Sequence, residues 1–274
     1  MTPIGKVTEV FDAIRKAKEG AAGFITNFFP VEQKLQGWVD HGELFAELRD
    51  GSAFFWRKDR DFWHLYFCAA SLASLKRAVP GLHSLKTEPV MIDLVGNEAA
   101  LGDLLALWES EGFRHYTHLQ RMARASQSGP HRSDANGTQV VDAGKMDAPA
   151  ISDLLGRSFD RYAEQLPMLY EIESAIESRQ ILVVKCEGML GGLLFFETHG
   201  FTSTVRYWLV AEGFRASHLG SALMRHYFAA QSVIRRFVLW VIADNADAVQ
   251  KYQHYGFLPD GLVDYVLANE KIRP

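Results

Sequence analysis

A polar segment near the midpoint of the chain constrains its architecture more than any other feature. Ala125–Thr138 reads ASQSGPHRSDANGT, which contains Gly and Pro and almost no side chain that a core could use. In a chain of 274 residues, a break at this point leaves two halves of ordinary domain size. We therefore predict a first domain at 1–125, a linker at 126–138 and a second domain at 139–274.

The composition is that of a globular protein and argues against several classes of partner. Hydrophobic residues make up 48% of the chain, and its net charge of −4 disfavours a nucleic-acid partner. The sequence contains no apolar run long enough for a transmembrane helix, and we do not expect its first residues to act as a secretory signal, because no long apolar run follows their charges. Cys68 and Cys186 lie apart in apolar runs, as reduced thiols do, and no residue group has metal-ligand spacing. We expect a cytoplasmic protein without membrane, nucleic-acid or metal partners.

Hydrophobic periodicity and turn residues predict a mixed sheet with helices in the C-terminal half. The predicted strands are Gln139–Val141, Ile181–Cys186, Met189–Glu197, Thr202–Val210, Phe237–Ile242 and a closing antiparallel pair, Phe257–Pro259 and Leu262–Leu267. The predicted helices are one ending near Arg157, Pro167–Ser178, one beginning at about Leu219, and Asp244–Tyr255. This order predicts an α+β, or mixed α/β, domain with a mostly antiparallel sheet flanked by helices.

The N-terminal half repeats this order in weaker form. Its predicted strands include Phe62–Ala69 and Val90–Val95, and a helix is predicted at Glu98–Glu111. Both halves end with a strand, a helix, a Gly-Phe pair and another strand, at Gly112-Phe113 and Gly256-Phe257. We interpret this as an internal duplication, with a similar sheet in each half.

The loop after the strand Thr202–Val210 has the character of an anion site. Val210–Leu223 reads VAEGFRASHLGSAL, so a strand is followed by a short loop of small residues and a helix start. The unpaired N–H groups of a helix start suit a pyrophosphate, Gly220 allows close approach, and Arg215 and Ser217 can add donors. A plain strand-to-helix connection is the alternative reading of this loop taken alone.

A second sequence motif indicates what kind of anion the loop would bind. Asn245–Phe257 reads NADAVQKYQHYGF and directly follows the next buried strand. Together the two stretches resemble the GNAT superfamily of N-acetyltransferases, whose patterns are V-x-x-x-x-(R/Q)-x-x-G-x-(G/A) and N-x-x-A-x-x-x-Y-x-x-x-G-F. The resemblance covers roughly Thr138–Asn269. The matching residues are Val210, Arg215 and Gly220 in the first pattern, and Asn245, Ala248, Tyr252, Gly256 and Phe257 in the second.

One position departs from the family pattern. His218 stands where the first loop glycine belongs, so a side chain is added close to the expected phosphate site. A negative φ would accommodate His218 and keep its N–H directed at the ligand.

The resemblance implies acetyl-CoA as cofactor and assigns roles to individual residues. Backbone at Leu209–Ala211 would pair with the pantetheine arm like an added strand, and the neighbouring strands would splay after Val210. Asn245 would hydrogen-bond the arm, and Tyr252 would protonate the departing thiolate as general acid. The implied cofactor residues are Leu209, Val210, Ala211, Arg215, Ala216, Ser217, His218, Leu219, Gly220, Ser221, Asn245 and Tyr252.

The acceptor side is less well defined by the sequence. The strand before the loop carries no acid, so Glu197 and Asp244 are the nearest candidates for general base, with Glu197 preferred; a water relay or an amine that arrives neutral is equally compatible. Arg206 could bind a substrate carboxylate or pair with Glu197. The expected substrate-binding residues are Arg206, Trp208, Tyr162 and Tyr170.

The N-terminal half does not match the same patterns. Trp108 stands at the position of Tyr252 and Leu101 at that of Asn245, and the loop after Phe62–Ala69 has no glycine. The resemblance therefore implies a tandem arrangement of two GNAT-like domains, the first degenerate and without CoA.

The predicted activity is acetyl-CoA-dependent transfer of an acetyl group to a primary amine of a small molecule or amino acid, by direct attack in a ternary complex. The acting species would be a monomer or homodimer. Two alternatives remain open: a CoA-binding sensor without turnover, and an aminoacyl transferase of tandem GNAT-like fold, which the acidic balance disfavours.

Overall fold

The structure is a computed structural model that describes residues 1–21, 23–82, 86–126, 138–215, 217–269 and 272. The chain divides into two units, one containing Met1–Leu119 and the segment from Gly261 onward, the other Gln120–Asp260. The predicted division at 126–138 instead keeps Gln120–Ala125 in the first domain and the segment from Gly261 in the second. Most of the predicted linker, 127–137, lies outside the described residues.

In its described residues, the first unit contains four α-helices and a mixed sheet. The helices are α1 (Val7–Lys18), α2 (Glu32–Asp40), α3 (Leu72–Ala78) and α4 (Glu98–Ser110). The strands, in sheet order, are β1 (Thr2–Pro3), β3 (Leu44–Arg49), β4 (Ser52–Asp59), β5 (Phe62–Ala69), β6 (Val90–Asn97) and β13 (Leu258–Asn269, here from Gly261). The β5–β6 pair is parallel, and the other pairs are antiparallel.

Strand β5 lies at the centre of this unit. Every one of its residues is buried, because helices cover both faces of the sheet. Its sequence, FWHLYFCA, therefore lacks the apolar–polar alternation of a half-exposed strand. On one face Phe67 packs in the same core as Trp56 and Trp108, and the Trp108 ring lies 5.6 Å from that of Phe67.

The parallel strands β5 and β6 diverge after a short contact, and the chain itself fills the gap. Their register includes only Trp63↔Val90 and His64↔Met91. Further along, β2 (Ile25–Thr26) pairs with β5 instead. The next residue, Asn27, donates from Nδ2 to the carbonyl oxygens of Leu65 (3.1 Å) and Asp93 (3.0 Å) and accepts at Oδ1 from the Phe67 N–H (2.6 Å). The Asn27 side chain thus replaces hydrogen bonds that β5 and β6 would otherwise make with each other.

The second unit has the same kind of architecture. Its strands, in sheet order, are β12 (Arg236–Ile242), β11 (Thr202–Val210), β10 (Met189–His199), β9 (Ile181–Cys186) and β8 (Val140–Asp142), with β7 (Phe113–Ala125) contributing from Gln120. Its helices are α5 (Ala148–Ser158), α6 (Leu169–Glu177), α7 (Leu219–Ala230) and α8 (Ala246–His254). The predicted mixed α/β class is confirmed. No helix in the described part of the chain has both the length and the apolar character needed to cross a membrane.

Alternating side chains of β10 build two cores in the second unit. Leu194 and Phe196 pack on the side of α7, in the same core as Tyr227 and Phe257. Leu193 and Phe195 pack on the opposite side, against α5 and α6. Burial on both faces of β10 packs this strand closely between the helices on either side.

The repeated ending of the two halves is present in the structure, with one correction. Helices α4 and α8 are each followed by a glycine with positive φ, Gly112 (88°) and Gly256 (81°), and by a fully buried phenylalanine. This left-handed conformation is the usual helix C-terminal signal that favours glycine. The predicted closing pair of strands is wrong, because β13 continues through Asp260 without a reversal and pairs with β6 in the register Leu262↔Asn97.

Candidate active site

Strands β11 and β12 separate halfway along their length. Their parallel register runs from Thr202↔Arg236 to Val205↔Leu239, yet β11 continues to Val210. The separation coincides with a β-bulge, where Phe195 pairs with Tyr207 and Phe196 with Val205, so Arg206 has no opposite residue on β10. The strands therefore splay after Val205, which corrects the prediction of a splay after Val210.

The splay leaves a free backbone edge on β11. The Ala211 N–H donates to the Gly191 carbonyl oxygen, 2.9 Å away on β10. Because backbone groups alternate in direction along a strand, those of Leu209 also face β10, whereas those of Trp208 and Val210 face the gap. Within the described residues no strand pairs with this edge beyond Val205. The predicted stretch Leu209–Ala211 is thus adjacent to the free edge, and only Val210 among these residues directs its backbone groups into the gap.

The loop after β11 leads to the start of α7. Glu212–Phe214 forms one 3₁₀ turn, and the Ser217 hydroxyl donates to the Phe214 carbonyl oxygen, which closes the loop on itself. Leu219 is buried in the core, so it presents only its backbone to the loop, while Arg215, Ser217 and His218 are exposed. The helix start and the exposed Arg215 side chain together have the character of an anion site. The predicted cofactor residue Ala216 lies outside the described residues.

His218 adopts the left-handed conformation, with φ 60° and ψ 12°. The negative φ considered from the sequence is therefore wrong. The backbone turns sharply here to begin α7, which explains why the family pattern has glycine at this position. His218 is exposed, so its side chain has room, but its backbone is held in a conformation that costs an L-residue free energy.

We expect His218→Gly to raise the free energy of unfolding by about 0.5 to 1 kcal/mol, because glycine adopts positive φ without a Cβ clash. The matched control is His226→Gly, at an exposed position in the middle of α7. This substitution should lower the free energy of unfolding by about 0.5 kcal/mol, because glycine has the lower helix propensity. Urea denaturation of both variants measures the difference. Destabilisation by His218→Gly would mean that the imidazole makes a contact worth more than the relieved strain.

Gly220 has a packing role that the sequence did not reveal. A Cβ at this position would lie 3.3 Å from the Trp208 ring and 3.4 Å from the Val210 side chain, so glycine lets α7 pack closely on β11. The Trp208 indole N–H donates to the Gly220 carbonyl oxygen at 3.1 Å. The predicted placement of Trp208 on the acceptor side is corrected: because of the bulge, its ring lies on the face of α7 and α8, 5.6 Å from the Tyr252 ring.

Helix α8 brings the two most specific motif residues to the gap. Asn245 is the N-cap of α8, where its side-chain oxygen accepts from the Ala248 N–H at 3.1 Å, which leaves its amide N–H groups for another acceptor. Tyr252 lies in the middle of α8. Burial, with a contribution from the negative charge of Glu164, raises the pKa of the Tyr252 hydroxyl above its usual value. This hydroxyl therefore stays protonated at neutral pH. Ser221, in the first turn of α7, accepts a hydrogen bond at 2.9 Å from the Tyr255 hydroxyl.

The other face of the splay carries Arg206 and Glu197. Arg206 Nε lies 3.9 Å from Glu197 Oε1, and the Glu171 carboxylate also acts on the guanidinium. Glu197 is thus a counter-ion of Arg206, the pairing expected as the alternative to a substrate carboxylate. Asp244, the second base candidate, is exposed in the turn before α8.

The segment between α5 and α6 contains the predicted Tyr162 and a residue that the sequence did not indicate. Tyr162 is half-buried, and its hydroxyl accepts from Arg161 Nη2 at 2.6 Å; Tyr170 is also half-buried, in the first turn of α6. Between them, the partly buried Glu164 accepts at Oε2 from the Asp160 N–H at 3.1 Å. Burial, followed by the neighbouring charge of Asp160, raises the pKa of Glu164 to about 7. Only the tertiary packing of this loop distinguishes Glu164 from an ordinary exposed acid.

Comparison with known proteins supports the character of this site. Residues 148–257, which include the splayed strands, the loop and α8 to Phe257, match the model of the Acetyltransferase (GNAT) family. No curated protein sequence matches the chain.

Solved structures with similar folds cover the whole chain. A tandem GNAT protein from the clavulanic acid biosynthesis pathway aligns with a TM-score of 0.64 at 12% identity, over 100% of this chain and 98% of its own. A Drosophila protein aligns with a TM-score of 0.63 at 12% identity, over 98% of each chain. A GCN5-related N-acetyltransferase from Sphaerobacter thermophilus aligns with a TM-score of 0.62 at 16% identity, over 97% of this chain and 92% of its own. At such identities the likeness shows the fold, and that fold is the one of tandem GNAT proteins.

Proposed function

Because the C-terminal half of this chain is an acetyltransferase domain of the GNAT family, we propose that the protein is an acetyl-CoA-dependent N-acetyltransferase. Its acceptor would be a primary amine of a small molecule or an amino acid, attacking directly in a ternary complex. The observation that carries this proposal is the splay of β11 and β12, with a free backbone edge on one strand and a partly buried, protonated Tyr252 beside it.

The residues around the splay offer hydrogen-bonding groups or charge for three features of the cofactor. Amide groups of a pantetheine arm need strand-like partners, which the backbone of Trp208 and Val210 offers. A pyrophosphate needs N–H donors and positive charge, which the start of α7 and the exposed Arg215 offer. The Asn245 amide, fixed by its cap hydrogen bond to Ala248, can donate to a carbonyl of the arm. Ser217 is the weakest of the predicted ligands, because its hydroxyl already donates within the loop.

The reaction needs a proton donor for the departing thiolate. The bound cofactor would supply an acyl thioester, whose sulfur must take up a proton when it leaves. The Tyr252 hydroxyl holds such a proton, since burial raises its pKa. Trp208 fixes the Tyr252 ring from the side, and is itself fixed by its hydrogen bond to Gly220.

The acceptor side favours an amine over recognition through a carboxylate. Arg206 already lies near Glu197 and Glu171, so its charge is balanced within the protein. A cationic amine would complement these acids and the nearby Glu164. We therefore retain Tyr162 and Tyr170 as acceptor-side residues and assign Arg206 a supporting role.

We propose a single cofactor per chain, held by the second unit. The first unit has a comparable divergence between β5 and β6, but β2 and Asn27 fill it and use the backbone groups that a pantetheine arm would need. Its Trp108 is fully buried and stands where the second unit has Tyr252. These features support a degenerate first domain.

The proposal is tested by thermal shift with acetyl-CoA, followed by thiol release against a panel of amines and amino acids. Stabilisation together with thiol release that depends on the amine is expected. Stabilisation without release from any amine would instead support a CoA-binding sensor. No stabilisation by any CoA ester would contradict a CoA-dependent function and leave an aminoacyl transferase as the remaining candidate.

A further inference from the structure

We propose that Glu164 is the general base that removes the proton from the acceptor amine. This inference rests on the proposed function and adds the residue that the strand before the loop lacks. Glu164 lies in the connection between α5 and α6, on the acceptor side of the splay, and nothing in its local sequence distinguishes it from a surface acid.

The connection is fixed to β11 at the place where the free edge begins. The Tyr207 hydroxyl donates to the carbonyl oxygens of Glu164 and Gln165, both at 2.9 Å. Gln165 has a φ of 44°, so the backbone turns sharply at this anchor. Tyr207 is itself buried beside the bulge at Arg206. The same bulge therefore opens the splay and positions the Glu164 backbone next to it.

The side chain is also held from its own loop. Glu164 Oε2 accepts from the Asp160 N–H at 3.1 Å, and the Glu164 N–H donates to the Asp160 carbonyl oxygen at 2.9 Å. The hydrogen bond from the Asp160 N–H occupies Oε2 and leaves Oε1 of Glu164 to take a proton from the acceptor. A carboxylate with one fixed oxygen is already oriented, so little rotamer freedom is lost when an amine binds.

Glu164 lies close enough to Tyr252 for its charge to raise the pKa of that hydroxyl. The groups that face Glu164 are Asp160 from its own loop, Tyr207 from β11 and Tyr252 from α8. With no cation among them, burial raises the pKa of the carboxyl to about 7. That value matches what a general base requires near neutral pH. Glu197, by contrast, has Arg206 as its counter-ion.

Placed on either side of the splay, Glu164 and Tyr252 balance the reaction. Glu164 takes one proton from the acceptor ammonium and later releases it to solvent. The nitrogen lone pair of the neutral amine forms the C–N bond, and the electron pair of the C–S bond leaves on sulfur. Sulfur takes the Tyr252 proton, and the second proton from nitrogen restores the Tyr252 hydroxyl. The sum is ammonium plus thioester giving amide, thiol and one proton.

The kinetic test compares Glu164→Gln with the wild type on an amine found in the thiol-release panel. Wild-type kcat/KM should rise with pH through about 7, because the base acts when deprotonated. Glu164→Gln should lower kcat at least about 100-fold and remove this limb, with the Kd for acetyl-CoA by calorimetry unchanged within about two-fold. Glu173→Gln, an exposed acid on α6, is the matched control and should retain rate and profile.

A second readout does not depend on turnover. In protein labelled with ¹³C at glutamate carboxyls, one signal that is missing in Glu164→Gln should titrate near pH 7. A titration near the ordinary value of a glutamate, or an unchanged pH limb in Glu164→Gln, would overturn the assignment while the transferase proposal stands. Wild-type protein that releases no thiol with any amine would instead overturn the proposed function and the base with it.

Discussion

Replacing Tyr252 by phenylalanine is expected to lower kcat by about 10²- to 10³-fold and to leave the affinity for acetyl-CoA within about three-fold. The hydroxyl is the only atom group removed, and the ring keeps its packing on Trp208 and Phe257. A loss confined to kcat would mean that the hydroxyl acts during the reaction and not in binding. Steady-state thiol release and calorimetry on the same preparation give both quantities.

Tyr227→Phe is the matched control for this substitution. The pKa of the Tyr227 hydroxyl is also raised by burial, but Tyr227 is fully buried on the inner face of α7 and donates to the Ser203 hydroxyl at 2.6 Å. Its loss should reduce the free energy of unfolding by about 1 kcal/mol and leave kcat within about two-fold. Equal effects on kcat from both variants would contradict a catalytic role for Tyr252.

The second large effect concerns the filled gap of the first unit. Asn27→Ala is expected to reduce the free energy of unfolding by about 3 kcal/mol, since it leaves the Leu65 and Asp93 carbonyls and the Phe67 N–H without the amide that now pairs with them. These backbone groups lie between two strands where water has little access. Chemical denaturation, followed by circular dichroism, measures the loss.

Asn97→Ala provides the comparison within the same unit. Asn97 precedes α4, is exposed and makes no side-chain capping hydrogen bond, so its substitution should change stability by less than about 0.5 kcal/mol. A similarly small effect of Asn27→Ala would show that β2 alone holds the gap closed and that the Asn27 bridge is dispensable.

The sequence predicted the parts of the site that depend on local motifs. The loop before α7 and the helix carrying Asn245 and Tyr252 are short, contiguous stretches whose spacing survives folding. The Gly-Phe pairs after α4 and α8 could also be predicted, because a helix C-terminus that needs positive φ favours glycine.

The features that sequence reasoning missed depend on contacts between distant segments. The splay point shifted from Val210 to Val205 because a bulge depends on the register with β10, which no single strand encodes. The same bulge directs Trp208 toward α7. The Glu164 backbone is held by Tyr207, a residue 43 positions away, and burial in the folded chain raises the pKa of the Glu164 carboxyl.

The burial of ionisable side chains in the first unit could not be predicted from the sequence either. Arg57 and His64 are each 1% exposed, and Asp59 is fully buried, with its carboxylate 2.6 Å from Arg60 Nη1. In a strand pattern such residues predict a solvent-facing side. In the folded unit helix α2 packs over this side of the strands, and the Arg57 guanidinium lies 4.4 Å from the ring of Trp38 in α2. Charge pairing and a cation–π contact replace water as partners.

The most direct test of the proposed acetyl-CoA site is a crystal structure of the full chain with a non-hydrolysable acetyl-CoA analogue. We predict one analogue per chain, with its pantetheine arm along the Trp208–Val210 edge of β11, its pyrophosphate at the start of α7 and its acyl group between Tyr252 and Glu164. An analogue bound between β5 and β6, or one whose acyl group lies away from Tyr252, would contradict it.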